Sequence, residues 1–442
     1  MSDLERAYKA LSAKKPIYNR LFDYYDGNQP LLYTNKRLEE IFKGLDAIFI
    51  ENWCAVVIDA VLDRINLKSL QASDQTSQDM LTMLWDGSQL ALESDDVHQA
   101  ALITGEAFIL AELDDAGGAQ AYYNDPRLVH AFYDLANPRV MSFCAKWWVD
   151  EALGRVRLNL YYPERTEHYI STSKSVSNAN TFHLDETGIE DNPYSRIPVF
   201  HFRTQRRVML GDLQNVVPIQ NGINKLLTDM MVAAEYGAFK QRWVISEADI
   251  KGKLKNAPNE VWSIPAGDGA GQHTQVGEFS PTELSNYLDA IDNLAQTLSS
   301  ITRTPKHYFF REGETPSGEA LLTMESPLVK KVNARIERFT PVWREAAVFL
   351  LELAGVAAAP ADIIPKFEDP ESVQPRTSAE ITQIRVSSGV PLTTALRDEG
   401  WEEEELTQME ADKAAEQAAA QQTLAQALLR AQRGFDQGGA GA

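Results

Sequence analysis

Apolar residues recur at helical spacing from the start of the chain. Leu4, Tyr8 and Leu11 predict an N-terminal helix. After a loop at Asp26-Gly27-Asn28-Gln29-Pro30, a second helix is expected from near Asp46 to Leu62, with Ile48, Ile50, Trp53, Val56, Val57 and Ala60 as its apolar set. A third is expected over Asp95 to Thr104, with Ser94 as its N-cap before two acids and Gly105 at its end. The period then shortens. GEAFILAEL reads as a strand, Asp114 to Gly118 as a turn, and Arg139 to Val149 as an aromatic, branched strand. Asp150 to Gly154 makes a hairpin into Arg155 to Leu160, which alternates polar and apolar. Ser171 to Asn180 is a Ser/Asn-rich loop, and Ile197 to Phe202 is one more strand.

Helical spacing returns with Ile219, Ile223, Leu226, Leu227, Met230, Met231 and Ala234. Trp243 to Phe279 is an insert with short strands WVIS and VWSIP, lysines at Lys251, Lys253 and Lys255, and the turn GDGAGQ. Ser280-Pro281, with Glu283 in the first turn, should start a second helix whose stripe is Leu284, Leu288, Ile291, Ala295, Leu298 and Ile301. The irregular segment TRTPKHYFFREGETPSG follows. A helix then runs from near Glu319 to Ala354, with Ser317 as its cap and Pro327 and Pro341 expected to kink or break it. The last ninety residues or so read as largely helical, so the fold class is α+β.

Composition narrows the function. Across 442 residues, 42 Lys and Arg meet 63 Asp and Glu, a formal charge of −21. That disfavours a free-standing basic nucleic-acid binder. The acidity concentrates between Gln71 and His130, where eleven acidic residues stand against Arg127 alone. Cys54 and Cys144 sit among apolar neighbours and read as buried free thiols. The charged N-terminus has no apolar core of a secretory signal. The stretch from Ala346 is too short for a membrane span and carries Glu352, so a soluble protein made in the cytoplasm is expected, with no membrane partner.

Motifs for catalysis are missing. No phosphate loop, dinucleotide fingerprint or zinc-protease motif occurs. The seven histidines do not pair at metal-ligand spacing and read as surface or satisfied core residues; His201, in the alternating strand FHFR, reads as part of a polar face. The expectation is no catalytic residue, no metal and no cofactor.

Several segments, taken in order, resemble one family. They are YYDGNQPLLY before NWCAVVIDAVLDRI, GEAFILAELDDAGG before DPRLVHAFYD, IPVFHFR before GDLQNVVPIQNGINKLLTDMM, and SSITRTPKHYFF before SGEALLTMESPLVKKV. Together they resemble the portal proteins of tailed bacteriophages, in the siphophage-type branch. The resemblance implies an α/β wing over 1–215, a two-helix stem at 216–242 and 280–304, and a small β-containing clip at 243–279. It implies a tunnel loop at 305–318, a long kinked wing or channel helix at 319–362, and a helical crown with C-terminal tail at 363–442. It also implies a virion protein at one capsid vertex, forming a closed ring of about twelve subunits. Double-stranded DNA would pass through that ring. The partners would be the major capsid and scaffolding proteins, the terminase large subunit and a head-completion or adaptor protein.

On the same resemblance, the tunnel loop would present Lys306, His307, Tyr308, Arg311 and Glu312 to the DNA channel. Lys306 and Arg311 would turn toward phosphate while the aromatics hold the loop in the core. Lys251, Lys253 and Lys255 would dock partners at the clip, unless they only solubilise a loop tip. An acid-rich channel wall would keep DNA from adhering. The alternatives are another phage head structural or adaptor protein and, behind it, an unrecognised hydrolase.

Overall fold

The computed structural model describes residues 1–30, 50–114, 116–205, 209–238, 242–245, 262, 275–280, 282–309, 317–371, 375–398, 401 and 405–415. Contacts divide the chain into two units, Met1–Phe367 and Glu368–Ala442.

The first unit opens with α1 (Asp3–Tyr25), started by a capping box. The Ser2 hydroxyl accepts from the Glu5 amide, and the Glu5 carboxylate accepts from the Ser2 amide. α1 continues through Pro16, and its buried stripe is Ala7, Leu11, Lys14, Tyr18 and Leu21. The second helix, α2 (Trp53–Leu62), is capped by Asn52 and so starts later than the expected Asp46, with Ile50 before it and outside it. Then come β1 (Leu67–Ala72), α3 (Gln75–Gly87) and α4 (Leu90–Thr104). α4 starts earlier than expected. Ser94 is not its cap but lies inside the helix, bonding back to the Ala91 carbonyl.

Eight strands follow: β2 (Glu106–Leu113), β3 (Ala119–Asn124), β4 (Val129–Tyr133), β5 (Met141–Asp150), β6 (Arg155–Tyr161), β7 (Arg165–Ser171), β8 (Phe182–Asp191) and β9 (Val199–Arg203). β4 to β8 form an antiparallel sheet in sequence order, and β2 is central in a second sheet of order β3-β2-β9. α1 packs Ala7 and Leu11 against Phe143, Ala145, Leu158 and Leu160 on one face of the five-stranded sheet. Phe108, Leu110, Cys144, Tyr161 and Val199 fill a smaller core among β2, β5, β6 and β9. Both cysteines are buried free thiols; burial pushes each up to about 12.

α5 (Val217–Ala238), β10 (Arg242–Ile245), β11 (Gln275–Glu278) and α6 (Ser285–Thr302) make a helical hairpin with a two-stranded ribbon, Trp243 opposite Gly277. α6 starts later than Ser280-Pro281 would have it, and Leu284 at its cap position makes no side-chain capping bond. It ends where Arg303 takes φ +61°, a left-handed position usually given to Gly. α7 (Gly318–Leu353) is capped by Ser317, as expected, and stays one helix through Pro327 and Pro341. The largest core gathers α2, α4, β2, β9 and α7 around Phe339, Trp343 and Phe349. There Trp343 Nε1 donates to His98 Nε2 at 3.0 Å, and burial pushes His98 down to about 3.

Residues expected to begin the C-terminal helices instead form β12 (Ile363–Phe367), antiparallel to β1, with Ala72 opposite Ile363. In the second unit, α8 (Pro375–Ser387) and α9 (Leu392–Asp398) pack together. Among the described residues, no helix is long and apolar enough to cross a membrane.

Candidate functional site

The hairpin joins the body at a junction built from three polar clusters. The first uses amides alone. Gln29 Nε2 donates to Asn52 Oδ1, Asn224 Nδ2 donates to Gln29 Oε1, and Gln220 Nε2 donates to Asn224 Oδ1 at 3.0 Å. Gln220 Oε1 also accepts from the Trp53 amide at 3.1 Å. Gln220 and Asn224 lie one turn apart on the buried face of α5, so one neutral network ties the base of that helix to both Gln29 and the start of α2.

The second cluster secures the segment before α5. Gly211 comes so close to α4 that a Cβ on it would stand 1.9 Å from the Ile103 carbonyl oxygen. The Asp212 amide donates to the Leu102 carbonyl at 2.7 Å, satisfying a helix-end acceptor. The Asp212 carboxylate meets Arg335 at 2.6 Å and Lys331 at 3.0 Å, both on α7. Burial would raise the Asp212 carboxyl, but the two cations outweigh it and hold it below the usual range.

The third cluster holds the turn after α6. Residues Lys306–Tyr308 form a short 3-10 turn. Phe309 is buried, 5.5 Å from the Trp53 ring, and Tyr308 is half-buried beneath the Arg64 guanidinium. His307 Nε2 meets Glu325 Oε1 at 3.0 Å, while Arg64 meets Glu325 Oε2 at 2.8 Å. Lys306 is exposed and lies 3.5 Å from Asp292 of α6. Phe309 and, in part, Tyr308 therefore occupy the core, as the aromatic pattern suggested. Phe310, Arg311, Glu312, Lys251, Lys253 and Lys255 lie outside the described residues.

A different constellation has the look of acid–base chemistry. Glu106 Oε1 accepts from Lys14 Nζ at 2.9 Å and from the Tyr18 hydroxyl at 2.7 Å. Glu106 Oε2 lies 2.9 Å from His201 Nε2, and the Tyr133 hydroxyl lies 3.0 Å from His201 Nδ1. Burial lowers His201, which keeps the ring neutral; Nε2–H then donates to Glu106 while Nδ1 accepts from Tyr133. Burial would raise Glu106, but Lys14 and the His201 hydrogen bond hold it below the usual range. Nearby, burial pushes His130 down to about 4. His201 is thus a core residue, which corrects the expectation of a polar strand face. Lys14, Glu106 and His201 are all buried, and both carboxylate oxygens are already engaged, which makes this a clasp between α1, β2 and β9. Sequence reasoning missed it. One signal was available: Lys14 interrupts an otherwise apolar helical stripe, and Glu106 heads an apolar strand. Among the described residues, no group of His, Cys, Asp and Glu could hold a metal ion.

Comparison with known proteins bears on the whole chain. Residues 5–422 match the family model described as phage portal protein, SPP1 Gp6-like. The portal protein of Mycobacterium phage D29 is 27% identical over 151 residues, covering 32% of this chain and 31% of the relative. The portal protein of Mycobacterium phage L5 is 26% identical over 151 residues, with the same coverage. These alignments therefore span about a third of either relative's length.

Proposed function

The chain belongs to the SPP1 Gp6-like family of phage portal proteins, and from that membership we propose that its copies close into a ring at one capsid vertex, through which double-stranded DNA enters and leaves. In this reading α5 and α6 are the stem, the ribbon and its loop are the clip, and the Lys306–Tyr308 turn begins the tunnel loop.

One observation carries the reading most directly. The base of the hairpin buries its apolar side chains in the main core, while the far half does not. Ile245, Val276, Phe279, Leu284 and Leu288 are exposed there, and Met230 and Met231 are only half-buried. On α6, Ile291, Ala295 and Leu298 are buried near the body. Apolar side chains left open at the far end of the hairpin suit packing against neighbouring copies in a closed, head-to-tail ring.

In this proposal the chain performs no reaction, and a partner motor supplies the packaging force. The terminase large subunit and the head-completion protein dock at the clip in turn, and the capsid and scaffolding proteins surround the wing. Asp79, Asp86, Asp95 and Asp96 are exposed on α3 and α4, which supports an acid-rich surface to which phosphate does not adhere.

Electron microscopy and light scattering of the purified protein test the ring. Rings of about twelve subunits are expected; a mass held at 49.4 kDa across concentrations overturns the reading. Deleting Trp243 to Phe279 should spare the ring and abolish packaging, and normal packaging in that variant removes the clip assignment.

A further inference from the structure

The two parts of α7 are held in different ways. From Leu328 onward the helix is embedded, with Leu328, Val332, Phe339 and Trp343 all buried. Before Pro327, none of the described side chains from Ala320 to Ser326 is buried, and Leu322 and Met324 are exposed. Pro327 has no N–H to give to the Thr323 carbonyl, so the backbone join between the parts lacks one helical hydrogen bond. The first part therefore gains little from apolar packing, and its position needs another source.

Glu325 meets that need. It lies two residues before the proline, and its side chain is only 13% exposed. Its two oxygens face in different directions, Oε2 to Arg64 just past α2 and Oε1 to His307 in the turn. Arg64 is itself held by donating to the Ala60 carbonyl at 3.3 Å, and its guanidinium lies 5.9 Å from the centre of the Tyr308 ring. The far side of the turn is fixed independently by the Phe309–Trp53 contact and by Lys306 beside Asp292. A carboxylate shared by a guanidinium and an imidazole at partial burial couples their positions more strongly than a surface pair would.

We infer that Glu325 is a positioning residue: it locks the Lys306–Tyr308 turn, the end of α2 and the first turns of α7 into one piece. Its importance for DNA passage rests on the portal reading above; the lock itself does not.

Hydrogen exchange on the purified full-length chain tests the lock. In Glu325→Gln, exchange over 305–309 and 318–326 should accelerate by about tenfold, as for residues coupled in one hydrogen-bond network, while the five-stranded sheet stays unchanged. Arg64→Met and His307→Gln should each give part of that acceleration. Adding Arg64→Met to Glu325→Gln should add little, because one interaction cannot be lost twice. Unchanged exchange in Glu325→Gln overturns the inference, as does a double variant whose acceleration is the product of the two single ones. The yield of DNA-filled heads from phage carrying Glu325→Gln separates the two levels. Faster exchange with a reduced yield supports both. Faster exchange with normal yield supports the lock and tells against a DNA-facing role for this turn.

Discussion

The clasp at Glu106 and the outer half of the hairpin solve opposite problems. At Glu106, charge is buried and both carboxylate oxygens are bonded within one chain. On the hairpin, apolar side chains are left facing outward beside a two-stranded ribbon. A lone two-stranded ribbon is marginal in water. The clasp closes its contacts within one copy, while on the portal reading the hairpin closes its own against neighbouring copies. Stability and assembly should accordingly respond to different residues.

The strongest test of this contrast lies in the body. Glu106→Gln leaves the Lys14 ammonium buried without its counter-charge and should cost about 3–5 kcal/mol of unfolding free energy in urea titrations. Replacing both Lys14 and Glu106 with Met and Leu should cost much less than the single change. Acid comes next. His98 is held down to about 3, so the unfolded chain takes up its proton first, near pH 6.5. Stability should fall as pH drops through that point, by about 2 kcal/mol at pH 5 from this group. Glu106 and Asp212 are shifted down, so their contributions are lost only at lower pH, below the ordinary carboxylate range of about 4. Urea midpoints at stepped pH should show these two stages, and His98→Gln should shrink the first, to which His130 and the buried His201 also contribute.

Smaller effects belong to the hairpin. Arg303→Gly removes a side chain from a left-handed position and should stabilise by about 1 kcal/mol in thermal unfolding. Leu288→Ser should leave monomer stability within about 0.5 kcal/mol, yet reduce the ring fraction in sedimentation. A large loss of stability with unchanged assembly would break the comparison.

Much of the fold was legible wherever one period dominated. α1, β2, β5, β6, α5 and α7 each follow an apolar spacing that local sequence carries. β1 and β12 were not, for a physical reason. Leu67 to Ala72 buries every third residue and not every second, Pro365 interrupts β12, and each strand is specified by the other across most of the chain. α3 was hidden because its apolar residues, Met80, Leu81, Met83, Leu84 and Trp85, crowd into one short run after a polar first half. At the junction, the burial of Phe309 could be inferred from its type. Glu325 could not be picked from 63 acids, since its role comes from Arg64 and His307, which only the tertiary fold brings together.

The β1–β12 pairing also bears on timing. At synthesis rates of roughly 5–20 residues per second, β1 waits tens of seconds for the strand that completes its sheet. Until then Leu67 and Leu70 lack their partner strand, and no prematurely terminated chain ending before Ile363 can supply it. The fold thereby acts as a check on the ribosome's work: a subunit in which this sheet has closed has been translated at least through Phe367.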